Sequence, residues 1–403
     1  MTGIDGEVLK RERYRRMATV ADPYATGRRH LSSGQAFAGR WLISNLMGLS
    51  FGQWLALLAD NRFAIGPRYW SRAAVISALG LFNSAAALLE RVRFGPAIAA
   101  AVPAPPIFIL GHWRSGTTLL HNLLALDERF AAPNLFETMF PNGFMVTERW
   151  QARLWGRLVP DTRLIDNMKL GTDLPQEDEF ALAILTGRSP YMGHSFPRRW
   201  AHYMRYLDFR DVAPAERREW QRGLLDFVRK LTVYRGPRPL LLKSPPHTAR
   251  IPLLLELFPD ARFIHIHRNP YRVFQSNLHM LTEGLPLAKI QSGDLPEPEQ
   301  FVIDRYNRLH DAYFADRSRI PAGHLVDIRF ETLVADPVGT LEAIYMALEL
   351  GPIEKLRPVL NAERNRLRGY AQNHYGPLDE RTRQLLATTW QRSFHAWGYD
   401  PAA

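Results

Sequence analysis

The stretch Ile107-Phe108-Ile109-Leu110-Gly111-His112-Trp113-Arg114-Ser115-Gly116-Thr117-Thr118-Leu119-Leu120 limits the folds open to this chain more than any other. Its four leading apolar residues are too few for a helix and suit a buried strand. The glycine-bounded loop that follows opens onto a helical pattern running from Thr117 to Leu126. Such a junction turns several backbone N–H groups and the positive end of a helix dipole toward one spot, which makes an anion site. Gly111 and Gly116 have the spacing of the Walker A loop, G-x-x-x-x-G-K-[ST], but Thr117 occupies the lysine position. The positive charge of the loop is instead Arg114. A guanidinium with the hydroxyls of Thr117 and Thr118 suits bidentate capture of one terminal phosphate, rather than the lysine and magnesium chemistry of a nucleoside triphosphate enzyme.

Three more short apolar runs follow: Leu240-Leu241-Leu242, Phe263-Ile264-His265-Ile266 and Leu325-Val326-Asp327-Ile328. Behind them lie helical stretches over 248–258, 270–282 and 337–349. This alternation predicts an α/β fold of the P-loop type, a parallel sheet covered by helices on both faces. The cluster Pro103, Pro105 and Pro106 separates it from an N-terminal helical region, 36–100. Residues 1–35, rich in Arg, Gly and Ser, are expected to form a flexible arm. The α/β domain then spans 101–403, with a helical insertion at about 140–235 that caps the sheet. No internal repeat is present.

The net charge is +11, from 51 Lys and Arg against 40 Asp and Glu, and only six of the basic residues are Lys. Such a balance fits nucleic acid, an anionic membrane or a phosphate-rich cofactor. The chain has no cysteine, which excludes disulfides, thiolate metal sites, iron–sulfur clusters and cysteine nucleophiles. Met1–Lys10 leads into Arg11, Glu12 and Arg13 rather than an apolar core, so no secretory signal is read and a cytoplasmic location is expected. Residues 41–59 and 73–89 are uncharged. Gly, Ser, Asn and Gln in the first, and Asn83 and Ser84 in the second, make both polar for membrane spans. They suit buried helices, or else a peripheral membrane contact or a lid over a greasy substrate.

A second strand–helix junction reads Ala261-Arg262-Phe263-Ile264-His265-Ile266-His267-Arg268-Asn269-Pro270, with Ser276 eight residues after Arg268. Together with Arg114-Ser115-Gly116-Thr117-Thr118, it resembles the sulfotransferases that use 3′-phosphoadenosine 5′-phosphosulfate (PAPS). The Arg form of the first loop is that of their tyrosylprotein and many bacterial branches, so the pattern stands closer to these than to the cytosolic branch. The resemblance implies that Arg114, Ser115, Gly116, Thr117 and Thr118 hold the 5′ end of PAPS. Arg268 and Ser276 would then hold its 3′-phosphate, and adenosine 3′,5′-bisphosphate (PAP) would be the product. It extends to Leu325–Leu333 and to His374-Tyr375-Gly376, and so covers roughly residues 105–400.

Sulfuryl transfer needs a base for the acceptor hydroxyl and positive charge at the oxygen that leaves, and protein cations can supply that charge without a metal. Lys243, one of six lysines, closes a strand in Lys243-Ser244-Pro245-Pro246-His247, where strand ends face a crevice. The resemblance makes it the catalytic lysine. Glu137 and His247 compete for the base. Glu137 follows the first helix, as the tyrosylprotein branch implies; His247 lies four after the lysine, where the cytosolic branch has its histidine two after. Glu177, Asp178 and Glu179 form a third choice or a helix cap. His265 and His267 share a strand face but lack further ligands, and are assigned to the core. Two other functions stay open at this point: a P-loop nucleotide kinase, and a non-catalytic basic binder of nucleic acid or membrane surface. The apolar runs favour a small-molecule or lipid hydroxyl acceptor over a specific nucleic acid.

Overall fold

The computed structural model describes residues 46–156, 174–283, 288–293, 296–367 and 375–402. The arm expected over 1–35, residues 36–45 of the helical region, 157–173 of the insertion and His374 lie outside them. Four short strands form one sheet: β1 Ile107–Leu110, β2 Leu241–Lys243, β3 Arg262–His267 and β4 Leu325–Arg329. All neighbours are parallel and the order is β2-β1-β3-β4. β1 therefore lies between strands reached in opposite directions, which makes its C-terminal end the switch point where a crevice opens.

Alternation along the strands divides the core. Phe108 and Leu110 face one layer with Leu242 and Phe263. Ile107 and Ile109 face the other with Leu241, Ile264 and Ile266. Helix Thr117–Leu124 covers the second layer with Leu120, Leu123 and Leu124, joined by Pro337–Ala347 through Leu341 and Ile344. The first layer is covered by Glu179–Thr186, Pro214–Arg235, Ile251–Leu257 and Pro298–Asp316. The expected parallel sheet with helices on both faces is thus what the chain forms, and the described part of 140–235 is helical and lies over one face.

We number the helices used below α1 (Phe51–Asp60), α2 (Trp70–Ala100), α3 (Thr117–Leu124), α4 (Leu135–Met139), α5 (Glu179–Thr186), α6 (Pro214–Arg235), α7 (Pro270–Glu283) and α8 (Pro298–Asp316). α1 starts on a capping box, in which Ser50 and Gln53 satisfy each other's backbone N–H groups. Its Trp54 and Leu57, with Leu46 and Ile76, belong to the same apolar cluster as Phe108 and Leu182, so the N-terminal helices share the core of the sheet. Half of residues 46–59 are buried. Much of 73–89 is not, because α2 meets the body along one face only.

Candidate active site

The loop after β1 is shaped by three residues with left-handed backbone: Gly111 (φ 145°), Arg114 (φ 71°) and Gly116 (φ 103°). A Cβ on Gly116 would lie 2.2 Å from Phe330 Cδ2, and one on Gly111 2.6 Å from the Ile266 carbonyl oxygen. Glycine at both places lets the loop press onto β3 and the segment after β4. Arg114 holds the same backbone region despite its side chain, a strain that folds retain where a loop is functional. Ser115 locks the turn: its N–H (3.1 Å) and its hydroxyl (2.8 Å) both donate to the His112 carbonyl. Thr248 Oγ1 accepts from the Gly111 N–H at 2.7 Å and ties the loop to the segment after β2. No side chain caps α3. The first-turn N–H groups that close no helical bond, and the positive end of the dipole, therefore face the loop.

Arg268 directly follows β3 and Ser276 lies on α7. Arg114 Nε donates to Ser276 Oγ at 2.8 Å, and the Tyr375 hydroxyl donates to the same oxygen at 3.1 Å. Arg268 Nη1 donates to the Arg114 carbonyl at 3.3 Å, with its guanidinium 4.2 Å above the Phe330 ring. Burial lowers the Arg268 pKa, and the charges of Arg114 and Arg272 push the same way against Glu331. Three guanidiniums this close repel one another, and an anion between them relieves the repulsion. The residues anticipated from sequence for two phosphates thus lie side by side, with Arg114 bonded to both Ser276 and Arg268.

Lys243, at the end of β2, is 1% exposed. Its ammonium donates to Glu177 Oε1 at 2.8 Å and to Thr118 Oγ1, on the first turn of α3, at 3.4 Å. It is the first member of a row. Glu177, Asp178 and Glu179 lead into α5 and meet Lys243, His247 and Arg250 one to one. His247 Nε2 bonds with Asp178 Oδ2 at 2.6 Å, and Arg250 Nη1 and Nη2 grip both oxygens of Glu179 at 2.6 and 3.0 Å. Ser244 adds a hydroxyl bond to Asp178 and accepts the Glu179 N–H. Burial raises the Asp178 carboxyl, but the charge and hydrogen bond of His247 outweigh it and leave the pKa below the ordinary range. Spacing alone did not reveal this matching of three acids to three bases. The signal was the acid triplet itself, set just ahead of an apolar helix.

Glu177 also accepts from the Tyr191 hydroxyl, which in turn accepts from Trp113 Nε1 at 3.0 Å. Burial, then the Glu177 charge, pushes the Tyr191 pKa well up, so the phenol keeps its proton and donates. Tyr191 packs on Trp113 and Phe180. A carboxylate, an ammonium and three aromatic rings therefore meet beside the anion loop. Sequence reasoning missed Tyr191.

The two favoured bases, Glu137 and His247, are both buried among protein partners. Glu137 closes a capping box on α4: Oε2 accepts the Asn134 N–H at 2.7 Å, and Oε1 accepts from Arg235 Nε at 2.7 Å. It is fully buried, and burial raises its pKa against the pull of Arg235. His247, also fully buried, lies edge-on to Phe108 and Trp220. His265 bonds with Asp327 at 2.8 Å and His267 stacks on Trp397. Among the described residues no group of three His, Asp or Glu stands where it could hold a metal ion.

Known proteins resemble this chain in sequence and in fold. A model of the sulfotransferase family matches residues 105–354. Omega-hydroxy-beta-dihydromenaquinone-9 sulfotransferase Stf3 of Mycobacterium bovis and of Mycobacterium tuberculosis is 36% identical over 361 residues, 89% of this chain and 92% of that protein. The crystal structure of sulfotransferase STF9 from Mycobacterium avium superposes with a TM-score of 0.58 at 20% identity, over 84% of this chain and 91% of that one. STF1 from Mycobacterium tuberculosis gives 0.52 at 16%, over 88% and 97%. These two carry the fold; the family match and the Stf3 identity carry the activity. A strand–loop–helix cradle without the Walker lysine, and relatives across most of its length, make this chain a member of the sulfotransferase family and an enzyme.

Proposed function

We propose that the protein moves a sulfuryl group from PAPS to the hydroxyl of a hydrophobic, lipid-like acceptor on the cytoplasmic side of the cell. The observation that carries this is the Lys243 ammonium, held between Thr118 of the anion loop and Glu177. The loop N–H groups, Arg114, Thr117 and Thr118 fit the 5′ end of PAPS, with Gly116 giving room and Ser115 fixing the turn. Arg268 and Ser276 fit the 3′-phosphate. Bound there, PAPS supplies an activated sulfuryl group whose transfer leaves negative charge on a bridging oxygen.

Lys243 places positive charge at the mouth of the loop, where such charge develops. Glu177 is the carboxylate that reaches both this ammonium and the apolar recess of Trp113 and Tyr191, and we assign it the acceptor proton. Glu137 and His247 then act as supports: Glu137 anchors the start of α4, and His247 with Asp178 fixes the segment after Lys243. Rings beside the carboxylate favour an apolar acceptor, and the relative Stf3 is named for a menaquinone derivative with an omega-hydroxyl.

A thermal-shift titration tests the cofactor. PAP alone is expected to raise the melting temperature, by mass action on the folded state, while ATP with Mg²⁺ leaves it unmoved. Stabilisation by ATP·Mg²⁺ and not by PAP would replace PAPS with a triphosphate at this loop.

A further inference from the structure

α2 turns part of its polarity inward. The side that faces the protein carries Arg72, Asn83 and Glu90 together with Ala73, Ile76, Gly80 and Ala86. The outward side carries Ala74, Ala78, Leu81, Ala85, Leu88 and Val92, a stripe of alternating four- and three-residue steps, all exposed. Leu81, Leu88 and Val92 are each more than half exposed, as are Leu89 beside the stripe and Trp70 at its start. Phe82 meets Trp150 edge-to-face, and that tryptophan is also half exposed. Only 33% of the most apolar stretch of this helix is buried. A continuous apolar strip of this length on a soluble surface marks a contact.

The polar inner face decides how lipid can meet it. Arg72 Nη1 donates to the Lys289 carbonyl at 2.7 Å, and Asn83 Nδ2 donates to the carbonyls of Met47 and Leu49 at 2.7 and 2.9 Å. Glu90 pairs with Lys230, and Gly80 lets the backbone of α1 approach closely. α2 is thus fastened to the body from Arg72 to Glu90 and has one free side. It is long enough to cross a bilayer, but this fastening leaves it able only to lie on one.

Charge selects the partner. From Asn61 to Leu126 the only acidic residue is Glu90, and it is buried. Arg62, Arg68, Arg91 and Arg93 are exposed at the two ends of the stripe. Two copies pairing through this face would bring arginine against arginine in either helix direction, since a two-fold contact sets the patch against itself. Residues 1–45, with eight Lys and Arg against four Asp and Glu, would meet the same repulsion. An anionic membrane surface accepts both the apolar stripe and the basic ends.

We propose that the outward face of α2 is a monotopic docking surface for an anionic lipid bilayer. This goes beyond the reaction proposed above and does not depend on which acceptor is used. The full-length protein is expected to co-sediment with vesicles of phosphatidylcholine and phosphatidylglycerol, more weakly as salt is raised, and poorly with phosphatidylcholine alone. The triple substitution Leu81→Gln, Leu88→Gln, Val92→Gln should weaken that binding at least about tenfold with an unchanged melting curve, because each side chain is already in solvent. Arg91→Gln with Arg93→Gln should weaken it and flatten its salt dependence. Wild-type protein that stays in the supernatant, or a triple variant that binds as wild type does, would overturn the proposal. So would a dimer in light scattering that the triple substitution splits, since the face would then belong to a second copy. Vesicle binding reads no turnover, so its failure and a failure of the reaction assigned above are told apart.

Discussion

Lys243→Met is expected to lower turnover about a thousandfold while PAP still binds nearly as tightly, because the ammonium acts on charge that grows only as the sulfuryl group leaves. Fold is the competing explanation. Lys243 is 1% exposed and its partner Glu177 has only 11% of its side chain in solvent. Removing the lysine alone leaves a buried carboxylate without its cation, which costs roughly 3–5 kcal/mol of stability. The double variant Lys243→Met with Glu177→Gln removes both charges and restores most of that loss. Because Glu177 is also the assigned base, the double variant reports on stability alone, and its melting temperature should approach that of the wild type. Turnover of Lys243→Met itself, read well below its melting temperature, should stay low; turnover restored toward wild type under those conditions would show that Lys243 acts through folding. Parallel losses in turnover and PAP affinity would show that it serves binding.

Arg268→Ala is expected to weaken PAP binding about a hundredfold, the loss of a charge-assisted bidentate contact, with little change in the apo protein. The reason lies in the like charges. Arg268 sits with Arg114 and Arg272, and its pKa is lowered by burial first and by those neighbours after it. Removing it takes away repulsion as well as packing on Phe330, so the melting temperature without ligand should hold. Calorimetric titration with PAP separates the two effects. Unchanged PAP affinity would detach Arg268 from the nucleotide and leave it a structural residue of the β3 end.

The parts of this structure that local chemistry dictates could be read from the chain. β1 matches its expected bounds, Ile107–Leu110, because a fully apolar run of four between a proline cluster and a glycine has one use. α7 runs Pro270–Glu283, as expected from the proline at its first turn. The anion loop was legible because Gly111 and Gly116 are needed where no side chain fits. What could not be read is pairing across distance. For Glu137, only the fold brings in Arg235, 98 residues on, and Asn134 as the partners its oxygens meet. Tyr191 gave no signal for the same reason: its value comes from Trp113 and Glu177, brought together by the fold. In the second uncharged run the sequence shows Asn83 and Ser84 interrupting apolar residues, but not that Asn83 is turned inward while Leu81, Leu88 and Leu89 are exposed.

The most direct test of the enzyme's assigned reaction is transfer from radiolabelled PAPS to a lipid-like acceptor, such as an isoprenoid quinol with a terminal hydroxyl. Label is expected to move to that lipid with one PAP formed for each product, a water-soluble phenol should be a poorer acceptor, and Lys243→Met should abolish the signal. Label that stays on PAPS in the presence of every hydroxylated lipid offered, or transfer that proceeds unchanged in Lys243→Met, would contradict the assigned reaction.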